Sequence, residues 1–170
     1  MRYRASLGTF LCISSLFLGD RALCDGEKAV KIKAAGIQVA MIQSDEIAVP
    51  AEFRVALYEN LIRQLEKRGF QHVYRDGDRN AAGVPNIVVL HSTVRRFKAG
   101  NEMARQVTTV AGATSINIHC QFTNAEGQPL LEQDVTGNVR FFGGNLRATY
   151  DFAKKASRIA YERFSASDEK

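Results

Sequence analysis

A histidine and a cysteine are adjacent in the sequence, at His119 and Cys120, and these residue types together can form a nucleophilic pair or a metal site. Polar and apolar residues alternate strictly from Ser115 to Thr123, which predicts a strand whose successive side chains point to opposite faces of a sheet. The two side chains would then lie on different faces and could not act together. We therefore interpret Cys120 as a small core residue and expect His119 on a polar face.

The remaining histidines and the glycines do not complete a known site. His72, His91 and His119 fall on separate elements without the spacing of metal-ligand motifs. Gly100 and Gly112 are too far apart for a phosphate-binding loop, and β-prone residues separate them. The pattern predicts no metal, no cofactor and no catalytic constellation. His91 and His119 are both expected on the open side of a sheet, which leaves a pairwise site there as an alternative.

The N-terminus has the features of an export signal. Arg2 and Arg4 precede an apolar run over residues 7–18, which is long enough for a signal peptide but too short to span a bilayer, where about 20 residues are needed. Small residues around Cys24 favour cleavage after it. Residues 1–24 are therefore predicted to be a signal peptide, and the mature chain, with no transmembrane segment, is expected in the periplasm or outside the cell.

A lipid anchor at Cys24 is the alternative, because a cysteine at the end of a bacterial signal peptide can be the lipidated residue. That motif has a large aliphatic residue three positions before the cysteine and Gly or Ala directly before it. Arg21 and Leu23 occupy those positions. We therefore favour a soluble exported protein over one that is anchored to the envelope by lipid.

The charge balance argues against nucleic acid as a partner. The chain has 23 basic and 18 acidic residues, and residues 1–24 hold three arginines and one aspartate, which leaves a net charge of +3. This is too small for a nucleic-acid-binding domain. The run Arg95, Arg96 and Lys98 at the end of a strand also lacks interleaved aromatic residues, and we interpret it as a solvated rim.

Hydrophobic periodicity places the first elements. Residues 25–35 are polar and predicted to be a short tether or an edge segment, and a mostly buried strand follows at residues 36–42. Pro50 begins a helix in which apolar residues recur every four positions, and Gly69 ends it. Within this helix, Glu59 and Arg63 are expected to form an i,i+4 ion pair.

The second half of the chain predicts a three-stranded meander and a final helix. The strands are expected at residues 86–97, 105–123 and 130–142, with a short turn after Lys98. Asn145 is the predicted N-cap of the last helix, with Leu146 and Tyr150 on its apolar stripe. Residues 36–165 are thus predicted to form one two-layer α+β domain, an antiparallel sheet of three to four strands with two amphipathic helices on one face, and residues 166–170 a frayed tail.

The middle strand is too long to be regular. A run of 19 residues from Arg105 to Thr123 far exceeds the mean strand of about 5 to 6 residues. We expect it to break or bend near Gly112, and a bulge there would keep Val107 and Ile116 both buried.

The segment from Gly83 to Gly137, together with the closing helix, resembles a family of exported bacterial proteins, the 4410 domain of unknown function. The matched residues are Phe97, Gly100, Arg105, Gly112, Asn124 and Gly127. The similarity covers residues 37–164. It implies export and an α+β layout, and it implies no catalytic residues.

These observations favour an exported, non-enzymatic envelope protein that binds a partner, an assembly or transport accessory whose partner is another envelope protein. The polar sheet face and the hairpin after Lys98 are the expected contact surfaces, and the candidate residues are Lys98, Asn101, Arg105, Asn117, His119 and Arg140. The alternative is a small-ligand-binding protein or a hydrolase with a site on the same face, formed by His91, Asn117, His119 and Arg140.

Overall fold

A computed structural model describes residues 31–44, 46–101, 103–104, 112–139 and 144–166. The predicted signal peptide with Cys24, the first part of the tether, Arg105, Val107, Arg140 and the last four residues lie outside the described residues. The described elements are β1 (Ile32–Ala34), β2 (Gly36–Val39), α1 (Ala51–Lys67), β3 (Val73–Tyr74), a 3₁₀ turn (Arg79–Ala81), β4 (Ile87–Lys98), β5 (Thr114–Thr123), β6 (Pro129–Val139), α2 (Arg147–Arg163) and β7 (Phe164–Ala166).

The main sheet has five strands in the order β3-β2-β4-β5-β6 and is mixed. β4, β5 and β6 pair antiparallel, as predicted for the meander. β2, however, is parallel to both β3 and β4, so the predicted antiparallel sheet of three to four strands is only partly right. The physical reason is α1, which returns the chain to the same end of the sheet and so forces a parallel crossover.

A second, two-stranded sheet joins the two ends of the domain. β1 pairs parallel with β7, with Ile32 opposite Phe164. The structure therefore places Ile32–Ala34 in a short strand, which agrees with the edge segment rather than with the tether, the two alternatives that the sequence left open. Phe164 is fully buried and lies 5.4 Å from the ring of Phe122, so this pairing holds the end of α2 against the core.

Helix α1 agrees with its sequence pattern. Its buried side chains include Phe53, Leu57, Leu61 and Leu65, and Gly69 follows it with a φ of 95°, the left-handed conformation that favours glycine at a helix end. The expected Glu59 pairing differs. Its carboxylate accepts two hydrogen bonds from the guanidinium of Arg75, at 2.6 and 2.9 Å, and this contact lowers the pKa of Glu59.

Both helices pack on one face of the main sheet. The shared core joins Leu57 and Leu61 of α1 and Phe152 of α2 with Ile118 and Phe122 of β5. The two-layer α+β arrangement with two helices is confirmed. Because β5 alternates buried and half-buried residues along its length, only one of its faces contributes to this core.

The start of α2 differs from the sequence prediction. Asn145 is not the N-cap: its Oδ1 accepts a hydrogen bond from Oγ1 of Thr114 at 2.6 Å, and the residue that precedes the helix is Leu146. Leu146 and Tyr150 are 42% and 45% exposed, whereas Phe152 is fully buried. The predicted apolar stripe is therefore wrong at Leu146 and Tyr150. Phe152 supplies the bulky contact with the core at this end of the helix.

The predicted interruption near Gly112 is confirmed. This residue has a φ of 84° and lies in a turn, and the strand begins only at Thr114. The connection from β4 is longer than the short hairpin turn that was expected after Lys98. Within it, Met103 and Ala104 are helical, and both backbone N–H groups donate to Oδ1 of Asn101.

Candidate functional site

The polar side of β4, β5 and β6 is covered by neither described helix, and we call it the open face. Cross-strand pairs connect β5 to β6 along it. Nδ2 of Asn117 donates to Oγ1 of Thr136 at 3.0 Å, and Nε2 of Gln121 donates to Oε1 of Glu132 at 2.6 Å. These pairs lie opposite each other in the sheet register, so the alternation of the sequence itself builds this polar surface.

His119 lies between these two pairs and is oriented by a carboxylate. Its Nδ1 is 2.8 Å from Oδ1 of Asp134. Because a carboxylate only accepts hydrogen bonds, Nδ1 carries the hydrogen. The other ring nitrogen is 3.9 Å from Oε2 of Glu132, which is too long for a hydrogen bond. The side chain remains 28% exposed, so the second nitrogen is available to a ligand.

The two open-face histidines share one depression in the surface. This depression, the His groove, has a volume of about 250 Å³ and is lined by Gln43, His91, Thr93, His119, Gln121, Thr123 and Gly127. Nε2 of His91 is 3.5 Å from Oγ1 of Thr123, a loose contact. The sequence hypothesis that the two histidines meet on one face is therefore consistent with the structure, since both line the same groove.

A β-bulge reshapes the far end of β4. Val94 pairs with Ile118 and Arg96 pairs with Asn117, so Arg95 is an additional residue in β4. The bulge turns Phe97 toward the core side, where its ring meets that of Phe53 at 5.0 Å. Without the extra residue, strict alternation would place Arg96 toward the core and Phe97 on the open face.

The bulge brings two successive arginines to one depression, the Arg groove. It has a volume of about 300 Å³ and is lined by Arg95, Arg96, Ser115, Asn117 and Thr136. Both arginines are exposed. Within the described part of the chain, neither guanidinium forms a hydrogen bond or an ion pair. The sequence interpretation of these residues as a solvated rim missed this convergence.

Cys120 lies on the opposite face from His119, as predicted, and is 1% exposed. Burial raises the pKa of its thiol to about 12, while the neighbouring Ser92 acts in the other direction. The thiolate is the nucleophilic and metal-binding form of cysteine. This thiol therefore stays protonated at neutral pH and belongs to the core.

Helix α2 covers part of the outer edge of β6. Oδ2 of Asp151 accepts from the backbone N–H of Asn138 at 2.9 Å, and Nζ of Lys155 donates to the backbone oxygen of Thr136 at 2.9 Å. Between them, Gly137 allows the close approach: a Cβ there would clash with the backbone oxygen of Ala148 and with Phe152. Edge groups of β6 are thereby satisfied by helix side chains.

The candidate residues from the sequence fall into three groups. Lys98 and Asn117 lie at the end of the open face that carries the Arg groove, since Lys98 pairs with Ser115; we call it the basic end. His119 lies two positions further along β5. Asn101 instead holds the local turn through its side-chain oxygen. Arg105 and Arg140 lie outside the described residues, so their role stays a prediction.

Arg95 and Arg96 are the residues that sequence reasoning underrated. A signal for them exists, because the apolar residues Val94 and Phe97 are three positions apart in a strand that otherwise alternates by two. An odd spacing between core residues of one strand indicates a bulge. Gln43 was also missed, since it reaches the face through an isolated bridge to Thr93 rather than from a strand.

Two further properties of the described residues bear on function. None of the helices in the ranges given above is long and apolar enough to cross a membrane. The described histidines, cysteines and acidic residues contain no group of three or more that could hold a metal ion.

Comparison with solved structures shows a shared fold. Two structures of PelC from Paraburkholderia phytofirmans, both dodecamers, each align with 81% of this chain. The first has a TM-score of 0.58 at 9% identity over 93% of PelC. The second has a TM-score of 0.61 at 10% identity over 94% of PelC. Protein XCC0632 from Xanthomonas campestris, of the family DUF330, aligns with a TM-score of 0.45 at 15% identity over 76% of this chain and 81% of its own.

No protein-family model matches the chain, and no curated protein matches it significantly. The resemblance to the 4410 domain of unknown function therefore stays a prediction. At these identities, the PelC comparison shows that the α+β fold is shared.

Proposed function

We propose that this chain is an exported, non-enzymatic protein of the cell envelope that binds a protein partner through its open face. The observation that carries the proposal is the uncovered polar surface of β4, β5 and β6, where the pairs Asn117–Thr136, His119–Asp134 and Gln121–Glu132 form a continuous row. Side chains that are already ordered by cross-strand hydrogen bonds lose little further freedom on binding.

Three observations support this proposal. The signal-like sequence of residues 1–24 supports export. The buried, protonated Cys120 removes the only thiol of the described chain from the surface. PelC, which shares the fold, is a dodecamer, and this supports an assembly role in which the partner is a second copy or another envelope protein.

The proposal is tested by site-specific photo-cross-linking in cells. A photoreactive amino acid at position 121 lies on the open face, and the same amino acid at position 63 lies on the exposed side of α1 and serves as the control. We expect one defined cross-linked species from position 121 and none from position 63, identified by mass spectrometry. Equal yields of the same products from both positions would contradict a dedicated open face.

A hydrolase that uses the His groove is a second candidate, favoured by the His119–Asp134 pair. A histidine that is oriented by a carboxylate through Nδ1 can act as a general base through Nε2. Among the described residues, no hydroxyl or thiol lies within hydrogen-bond distance of that nitrogen. This candidate therefore requires water as the nucleophile.

The two candidates differ in the effect of Asp134→Asn. A hydrolase should lose most of its turnover of an ester or glycoside substrate, because the asparagine no longer stabilises the protonated imidazole. A panel of such substrates that shows no turnover by the unmodified chain, or turnover that Asp134→Asn leaves unchanged, would remove this candidate. Partner capture from position 121 would be unaffected by that outcome.

A further inference from the structure

The basic end of the open face has charge without a counter-charge. Arg95, Arg96 and Lys98 lie within four positions at the end of β4, and the bulge places both arginines beside the Arg groove. The carboxylates of the open face, Asp134 and Glu132, are engaged by His119 and Gln121. Like charges on neighbouring strand positions repel each other, so a bound anion would stabilise this arrangement.

The remaining lining of the groove also donates hydrogen bonds. Oγ1 of Thr136 already accepts from Nδ2 of Asn117, which directs the Thr136 hydroxyl hydrogen away from that contact and leaves it available. Ser115 contributes a second hydroxyl on the neighbouring strand. Two guanidiniums and two hydroxyls therefore face one depression, and none of the described residues that line it carries a carboxylate.

We propose that the Arg groove is a binding site for a phosphate ester. A phosphate monoester carries a charge of about −1.5 to −2 at neutral pH and three acceptor oxygens, which matches two guanidiniums and flanking hydroxyls. A single carboxylate would pair with one guanidinium and leave the other unmatched. The volume of about 300 Å³ is at the small end of ligand pockets, so the groove holds a headgroup-sized moiety.

Ordinary solvated surface arginines are the competing explanation. A solvated rim requires no particular backbone conformation. Here an additional residue in β4 interrupts the regular pairing with β5 and brings both arginines to the same groove. The inference goes beyond the proposed function, with which it shares only the open face. It adds the chemistry of the ligand, which can be supplied by a soluble phosphate ester or by a phospholipid headgroup.

The test measures binding of three probes to the mature chain. Inorganic phosphate and glycerol 3-phosphate are titrated by calorimetry, and vesicles of phosphatidylglycerol in phosphatidylcholine are tested by co-sedimentation against pure phosphatidylcholine vesicles. We expect the double variant Arg95→Gln/Arg96→Gln to weaken binding at least about tenfold, since it removes the charged hydrogen bonds. The control Arg54→Gln/Lys67→Gln removes the same charge from exposed positions of α1 and should leave affinity unchanged.

The probes separate the two sources. Binding of glycerol 3-phosphate without vesicles assigns a soluble ester, and binding of the anionic vesicles alone assigns a headgroup; both support the site if the double variant loses the binding. Because neither guanidinium forms a hydrogen bond or an ion pair with a described residue, the variant should keep its circular-dichroism spectrum. Absence of binding to every probe, or an equal loss in the α1 control, would overturn the inference.

The proposed function can fail separately. If position 121 captures a protein partner but no probe binds, the phosphate site is wrong and the partner-binding proposal stands. If a probe binds through Arg95 and Arg96 but position 121 captures nothing, the phosphate site stands and the partner-binding proposal is wrong.

Discussion

The two faces of β5 are formed by alternate residues of one ten-residue strand, yet they differ in burial and in hydrogen bonding. On the covered side, Ile116, Ile118 and Phe122 are fully buried against the helices. On the open side, Asn117 and His119 make cross-strand hydrogen bonds and stay partly exposed. If the open face binds a partner as we propose, stability and recognition depend on alternate residues of one strand, and each can be changed without the other.

The largest effect on stability is expected from the covered side. Phe152→Ala removes a fully buried ring and should lower the free energy of unfolding by about 3–5 kcal/mol, measured by urea denaturation. Tyr150→Ala, two positions away on the exposed side of α2, is the matched control and should change it by less than about 0.5 kcal/mol. Similar losses for both would mean that α2 is rotated relative to our description.

A smaller but specific loss is expected from Gly137→Ala. The new Cβ would meet the backbone of Ala148 and Phe152, which cannot move without displacing α2 from β6. Overpacking of this kind costs about 1–3 kcal/mol. Gln133→Ala on the same strand is exposed and serves as the control. If Gly137→Ala matched that control in the midpoint of thermal unfolding, the close contact between α2 and β6 would be wrong.

Cys120 adds a dependence on pH. The thiol has an ordinary pKa of 9.0, and burial raises it to about 12 in the folded chain. Between these values the unfolded chain has lost the proton that the folded chain retains, so stability falls as pH rises. From pH 8 to pH 10 the unmodified chain should lose about 1 kcal/mol more than Cys120→Ala. An identical pH profile for the two chains would indicate that the thiol is accessible to solvent.

The smallest effect on stability is expected from the open face. His119→Ala removes a partly exposed contact to Asp134 and should change the free energy of unfolding by less than about 1 kcal/mol, since exposed ion pairs contribute little. Urea denaturation at neutral pH measures it. A loss as large as that of Phe152→Ala would show that the open face is part of the structural core.

The sequence predicted the elements whose signal is local. The four-residue spacing from Phe53 to Leu65 defined α1, and the alternation from Ser115 to Thr123 correctly separated His119 from Cys120. The interruption near Gly112 was also predictable, because no regular strand extends over so many residues. In each of these cases the residues that decide the structure are close neighbours in the chain.

The features that were missed depend on distant residues. The parallel pairing of β2 with β3 and β4 was not predicted, nor was the pairing of β1 with β7 from the other end of the chain. The fit of Gly137 against Phe152 depends on the position of α2. The Arg groove required both the bulge at Arg95 and the neighbouring strands. Such contacts leave no periodic signal, although the odd spacing of Val94 and Phe97 pointed to the bulge.

The division between the two faces can be tested on neighbouring residues. Both variants, His119→Ala and Cys120→Ala, are made in chains that carry the photoreactive amino acid at position 121. For each variant we measure the yield of the cross-linked complex and the midpoint of urea denaturation. We predict that His119→Ala loses the complex and keeps the midpoint, whereas Cys120→Ala lowers the midpoint and keeps the complex at temperatures where it is folded. A His119→Ala chain that forms the complex as well as the unmodified chain, or a loss of complex that only follows the loss of stability, would contradict the account.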